Sequence, residues 1–230
     1  MTLLSRLPRP IKTLGRRMTG NFFRNDGGIR EGDFEAIRTE IDRIRPRLFI
    51  EIGTGTGVST KRLFSYLDAA GIACDFYTIE IFDRYYQDIK KAVTHPRFHP
   101  ILGLSVLVEE TTDPARSELV AFRGPQNVLR TLLDQELKNR SIDLAFIDSR
   151  KGSALAEFKL LAPRLSPDGT IFCHDILNGG KGVEVLEYLQ DNEELYRFRV
   201  LNTGPDGIIR IHLRSPISGD ASRLGVVTHP

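Results

Sequence analysis

The sequence predicts an α/β fold built on a doubly wound sheet, and three observations carry the prediction. Apolar runs of strand length alternate with segments of helical period. Several of those runs end in an acid or a glycine turn rather than in further apolar residues. The last two runs are joined by Asn202-Thr203-Gly204-Pro205-Asp206, a hairpin connection. A chain of 230 residues suffices for one such domain with short decorations. Its 40% hydrophobic and 27% charged residues are those of an ordinary globular protein, and a formal net charge of +2 selects no class of charged partner.

Met1 to Arg24 is basic: Arg6, Arg9, Lys12, Arg16, Arg17 and Arg24 all precede the first acid, Asp26. Pro8 and Pro10 interrupt any continuous helix. Residues 1–32 are therefore expected to form an arm that folds over the active site or over a neighbouring subunit of a homo-oligomer. A membrane-surface or nucleic-acid contact is the alternative. Asp33 is expected to cap a helix with Phe34, Ile37, Ile41 and Ile44 on one face, stopped by Pro46. Leu48, Phe49, Ile50 and Ile52 then read as a buried strand. The turn Gly53-Thr54-Gly55-Thr56-Gly57 follows, and Lys61 to Leu67 reads as an amphipathic helix. Strand, glycine turn and helix N-terminus in that order make a nucleotide crevice, because glycines admit close backbone approach and the first helical N–H groups face the ligand.

A second strand, Asp75 to Glu80, precedes a helix that Asp83 is expected to cap. A short strand leads into Ile101-Leu102-Gly103-Leu104-Ser105, with His95 and His99 ahead of it as surface residues. A helix with Pro125 near its start leads to the strand Ser141 to Asp148, and the next helix carries Leu155, Phe158, Leu161 and Leu165. Ser166-Pro167-Asp168-Gly169 reads as a turn before a fifth strand, Thr170 to Asp175. A helix through Val183, Leu186 and Leu189 leads to the closing strands, Tyr196 to Leu201 and Gly207 to Leu213. The domain is placed at 33–215, with 216–230 a flexible tail.

Ligands of open α/β sheets bind outside the carboxyl ends of the strands, where Glu51, Glu80, Asp148, His174 and Asp175 converge. Val58 breaks the dinucleotide fingerprint, which needs Gly or Ala there. Glu51-x-Gly53-x-Gly55-x-Gly57 instead resembles the first motif of class I S-adenosylmethionine-dependent methyltransferases. A carboxylate suits a methionine ammonium and would repel a pyrophosphate. The resemblance implies a seven-stranded Rossmann-like sheet with its last strand antiparallel. It also implies Glu51 toward the amino-acid end of the cofactor, often through water, with Gly53, Thr54, Gly55, Gly57 and Ser59 alongside. Glu80 would accept from the ribose hydroxyls with Ile81 beside it, Gly103 and Ser105 would lie near the adenine, and Asp148 would border the cofactor.

Phe146-Ile147-Asp148-Ser149, followed after a helix by Leu165 to Asp175, looks like the catechol O-methyltransferase-like branch, which includes bacterial enzymes acting on sugars and natural products. The resemblance implies a divalent cation, usually magnesium, on Asp148, His174 and Asp175. Two departures stand out. An imidazole replaces an oxygen ligand at His174, and imidazole suits zinc, iron or nickel better than magnesium. Arg150 and Lys151 stand where relatives place an acid or a histidine, so the proton acceptor is either His174 or a lysine of lowered pKa, Lys151.

The expected activity is methyl transfer to a hydroxyl of a small molecule. A non-methylating cofactor binder of the same fold and an RNA methyltransferase using the arm are the alternatives. Neither an Asp/Asn-Pro-Pro-Tyr/Phe motif nor a Pro-Cys nucleophile is present, which argues against nucleic-acid acceptors. No apolar run is long enough to span a membrane and no signal peptide is read. Cys74 and Cys173 have no metal-ligand spacing, so free thiols and a cytoplasmic location are expected.

Overall fold

A computed structural model describes residues 29–112, 119, 122–177, 180–201 and 204–214. Most of the expected arm, up to residue 28, and the expected tail lie outside the described residues. The strands β1 (Leu48–Ile52), β2 (Asp75–Glu80), β3 (Phe98–Leu102), β4 (Ile142–Ile147), β5 (Leu165–His174), β6 (Tyr196–Leu201) and β7 (Ile208–Leu213) form one sheet in the order β3-β2-β1-β4-β5-β7-β6. Strands β1 to β5 are parallel, and β7 runs antiparallel to both β5 and β6. This is the Rossmann-like methyltransferase sheet the sequence led us to expect.

Two apolar layers hold the sheet between helices. On one face α1 (Glu31–Ile44), α2 (Val58–Ala69) and α3 (Asp83–Ala92) pack through Ile37, Leu63 and Ile89. On the other, α4 (Val128–Thr131), α5 (Ala154–Leu161) and α6 (Val183–Asp191) pack through Leu129, Phe158 and Leu189. The period-2 alternation of strands sorts the sheet residues between these layers. Phe49, Phe76, Phe146 and Phe172 all face α1–α3 and are fully buried, each contributing about 1.5–3 kcal/mol. Two residues beyond them, on the same face, come Glu51, Thr78, Asp148 and His174, with Glu80 two beyond Thr78. By register Glu51 and Thr78 lie level with Phe146 and Phe172, so Asp148 and His174 stand one step nearer the carboxyl edge than Glu51, and that stepped set of polar residues positions the site.

Several local expectations change in the fold. The first helix starts at Glu31, two residues before the expected domain boundary, with Arg30 as N-cap. Asp33 is not the cap but lies in the first turn, accepting from Arg30 N at 3.1 Å. Arg45, in the left-handed region at φ 46°, closes that helix by donating to Ile41 O, and Pro46 only follows. Asp83 does not cap α3 either: Phe82 N donates to Glu80 Oε1 at 2.8 Å, while Asp83 accepts from Gln87 at 3.1 Å. Pro125 stands ahead of α4, which begins after Asn127 and continues as a π-helical stretch, Leu132–Glu136. Ser166 to Gly169 do not separate two elements but sit inside β5. Ile142 pairs with Leu165 and Leu144 with Thr170, so β5 spends three extra residues in an irregularity. His95 and His99 are half-buried, packed on Phe64 and Tyr77. Both cysteines are buried and free, and burial pushes the Cys74 thiol up to about 12.

Candidate active site

The glycine turn brings β1 and β4 side by side at the carboxyl edge. Gly53 adopts φ 99°, and a Cβ there would press on the carbonyl of Asp148, with its carbon 2.7 Å away. Asp148 N in turn donates to Ile52 O at 2.9 Å. Gly55, also at positive φ, donates its N–H to Glu80 Oε2 at 2.7 Å, which ties the turn to the end of β2. A cavity opens above this edge. Gly53 and Gly55 form one wall, Glu80 to Phe82 with Tyr85 a second, and Gly103 to Ser105 a third. Asp148 to Arg150 and Lys181 close the far end.

Of the residues expected around a cofactor, Gly53, Gly55, Glu80, Ile81, Gly103, Ser105 and Asp148 line this cavity. Glu51, Thr54, Gly57 and Ser59 do not. Glu51 lies on the Phe49 face, beneath α2, and is fully buried. It accepts from Ser59 Oγ at 3.1 Å, Thr60 Oγ1 at 2.6 Å and Thr78 Oγ1 at 2.7 Å. Because the single Thr78 proton is spent on Glu51, Thr54 is the donor in the 2.5 Å Thr54–Thr78 bond. These residues brace the turn from below. Gly57 is the left-handed N-cap of α2, packed against Ile89. Burial pushes the Glu51 carboxyl up to about 7, against three hydroxyls that favour its charged form. Burial also raises Glu80, opposed by the N–H groups of Phe82 and Gly55.

Glu157, in the first turn of α5, was not foreseen. It is fully buried yet reaches the cavity, accepting from Ser105 Oγ at 2.5 Å and from Ser149 Oγ. Burial raises its carboxyl, and the hydroxyls of Ser105, Ser149 and Ser153 oppose that. Its signal in the sequence is an acid between Ala154, Phe158 and Leu161, on a helix face otherwise apolar.

At the far end, Asp148, His174 and Asp175 do converge, with candidate ligand atoms all within 4.8 Å of one another. Two further residues complete the cluster. His174 Nδ1 faces Asp148 Oδ1 at 3.3 Å and Asp175 Oδ1 at 3.1 Å, while Nε2 faces Asp33 Oδ2 at 3.3 Å. Lys181 Nζ donates to Asp148 Oδ1 at 2.6 Å and lies 3.1 Å from Asp175 Oδ2. Burial alone pulls the imidazole down. Its hydrogen bonds to Asp148 and Asp33, with the charges of Asp148 and Asp175, outweigh that and hold it up to about 10. In this arrangement the three acids favour the imidazolium form of His174, which donates and must first lose its proton to act as the base expected of it. Lys151 is exposed and away from the cavity, so the lysine beside the acids is Lys181.

Residues 50–176 match a family model described as a methyltransferase domain. No curated protein sequence matches the chain. Among solved structures, it is similar to the O-methyltransferase from Bacillus cereus in complex with SAH, at 16% identity and TM-score 0.58, covering 90% of this chain and 88% of that one. It is also similar to the O-methyltransferase TomG from Streptomyces achromogenes in complex with SAM, at 12% identity and TM-score 0.57, covering 94% and 100%. A third is the MycE methyltransferase of the mycinamycin pathway in complex with Mg, SAH and Mycinamycin VI, at 14% identity and TM-score 0.54, covering 81% of this chain and 50% of that one. Likenesses at these identities speak to the fold.

Proposed function

Because the chain belongs to the methyltransferase-domain family, we propose that it transfers the methyl group of S-adenosylmethionine to a hydroxyl of a small molecule. The observation that carries this reading is one cavity lined by the Gly53–Gly55 turn and Glu80 and also by Asp148 and Lys181, through which the charged cluster borders it. A carboxylate offers about four lone-pair sites, so Glu80 can accept from two ribose hydroxyls while still holding Gly55 and Phe82. Glu157 takes the Ser105 and Ser149 protons and so turns those oxygens into acceptors for an exocyclic amine of the adenine.

Methyl transfer is an in-line displacement, so the protein must align the acceptor oxygen and favour its deprotonated form. The far end of the cavity suits this, since fixed cations there stabilise charge developing on that oxygen. Asp148 and Asp175, with His174 once its imidazole has released a proton, would also form a donor set fit for a divalent ion. The far nitrogen of His174 faces Asp33, the carboxylate support that fixes a metal-binding imidazole. When bound, such an ion would supply Lewis-acid stabilisation of an alkoxide or phenolate. The Mg-bound and SAH-bound neighbours support this reading, as does the small-molecule ligand of MycE.

Calorimetry with SAH tests it. Glu80→Ala is expected to weaken binding by about 1.5–3 kcal/mol, the worth of hydrogen bonds to a charged acceptor. Unchanged affinity in that variant would remove Glu80 from the cofactor site. Formation of SAH in the presence of hydroxylated small molecules, and none with RNA, is the matching expectation for the acceptor.

A further inference from the structure

Lys181 lies in the turn between β5 and α6, and that turn is folded tightly onto the end of β5. Gly182 N donates to Asp175 O at 3.1 Å. A Cβ at Gly180 would press on the Asp175 carbonyl, with its carbon at 2.8 Å. One at Gly182 would stand 2.5 Å from Ile176 Cγ2 and 2.9 Å from Cys173 Sγ. Only glycine fits on either side of Lys181, so the packing holds its backbone within reach of the acids. Its ammonium has three protons, and three oxygens receive it: Asp148 Oδ1 at 2.6 Å, Asp148 O at 3.3 Å and Asp175 Oδ2 at 3.1 Å.

We propose that the Lys181 ammonium, beside a His174 Nδ1 that faces the same two acids, is a built-in cation of this site, joining Asp148 to Asp175 and competing with a divalent ion for those carboxylates. A divalent ion takes carboxylate oxygens at roughly 2.0–2.6 Å, which is the space the ammonium fills. Two cations sharing those oxygens would repel each other at close range. Entry of an ion therefore requires Lys181 to swing into the cavity that it lines, and the resting protein has its charge pair closed without one. The inference rests on reading Asp148, His174 and Asp175 as a cation site, and its test separates the two.

Mn²⁺ is titrated into the full chain by calorimetry, with free Mn²⁺ counted by electron paramagnetic resonance. Lys181→Met is expected to bind about tenfold tighter than the native chain or more, the effect of losing one close charge pair. Lys181→Arg, which keeps the charge, stays near the native affinity. Asp148→Asn in the Lys181→Met background loses the gain. Should Lys181→Met fail to fold by circular dichroism, Lys181→Gln replaces it. Equal Mn²⁺ affinity in the native chain and Lys181→Met overturns the competition while leaving the cation site standing. Tightening by Lys181→Arg as strong as by Lys181→Met overturns it too, since bulk rather than charge would then matter. No Mn²⁺ binding by any of the proteins overturns both readings.

Discussion

The glycine turn and the charged cluster, the two ends of the site, both shield carboxylates from water and satisfy them in opposite ways. Beneath the glycine turn, Glu51 meets only hydroxyls, and burial moves it toward protonation. At the far end Asp33, Asp148 and Asp175 surround an imidazole and an ammonium, and the imidazole is held charged. Hydroxyl dipoles offset part of a desolvation cost, whereas a full opposite charge can reverse its outcome. The turn end is thus built to fix backbone geometry without demanding charge. The far end is built to keep charge in place, where the proposed reaction would put the acceptor. Damage to the first should appear as lost fold and cofactor affinity, and damage to the second as lost turnover.

Asp148→Asn is the sharpest way to break that contrast, since Asp148 joins the two ends. It removes one negative partner from both His174 and Lys181 without changing side-chain size. Turnover is expected to fall about 10²–10³-fold, the scale of removing one preorganised electrostatic group. Affinity for SAH should change far less. Losses of equal size in both measurements would mean the cavity acts as one unit and not as two specialised ends.

Gly53→Ala tests the turn end by sterics. The new Cβ would strike the Asp148 backbone at φ 99°, and neither strand end can yield cheaply. A destabilisation of about 1–3 kcal/mol is expected, with cofactor affinity falling alongside. Gly55→Ala is the control, because no atom lies within 4 Å of its Cβ position. That variant should remain the more stable of the two in urea denaturation. The reverse order would mean that close approach of β1 to β4 is not what the glycine provides.

The same contrast explains what could be read in advance. The turn end is contiguous in sequence: strand, glycines and helix fall within residues 48–69, and Glu80 ends the next strand. What hydropathy left open there was the face Glu51 takes and how deep it sits below the carboxyl edge. A strand buried on both faces carries no hydropathy alternation, so nothing apolar or polar said which way Glu51 points. The repeated spacing of Phe49–Glu51, Phe146–Asp148 and Phe172–His174 did carry that information, because residues two apart share a face. The far end is assembled from four separated stretches. Asp148, His174 and Asp175 were legible because they end strands. Asp33 was not, because a polar residue early in a helix looks like a cap, and its partner lies 141 positions away. Lys181 sits in a glycine turn whose path over β5 only the packing defines.

The smallest expected effect is also the cleanest separation of the two ends, and it uses pH. Glu51 is raised from an ordinary 4.5 to about 7, so the folded chain holds this proton more tightly than the unfolded one. Its contribution therefore makes stability fall as pH rises between those values, and then levels off. Glu80 and Glu157 are raised as well, so each also loses stabilisation as pH rises above the ordinary carboxylate value. His174 is raised from 6.5 to about 10, so its stabilisation is complete below pH 6.5 and is lost as pH climbs through the upper value. Both ends lose stability with rising pH, but in different windows. Thermal denaturation of the full chain at successive pH values should show both slopes. Glu51→Gln should flatten only its share of the lower slope, and His174→Gln the upper, each by about 1.4 kcal/mol per pH unit at most. Hydroxyl-satisfied and cation-satisfied carboxylates would then be distinguished in one experiment. A His174→Gln variant that keeps the native slope between pH 6.5 and 10 would mean that its three acids do not hold the imidazolium, and the contrast between the two ends would lose its basis.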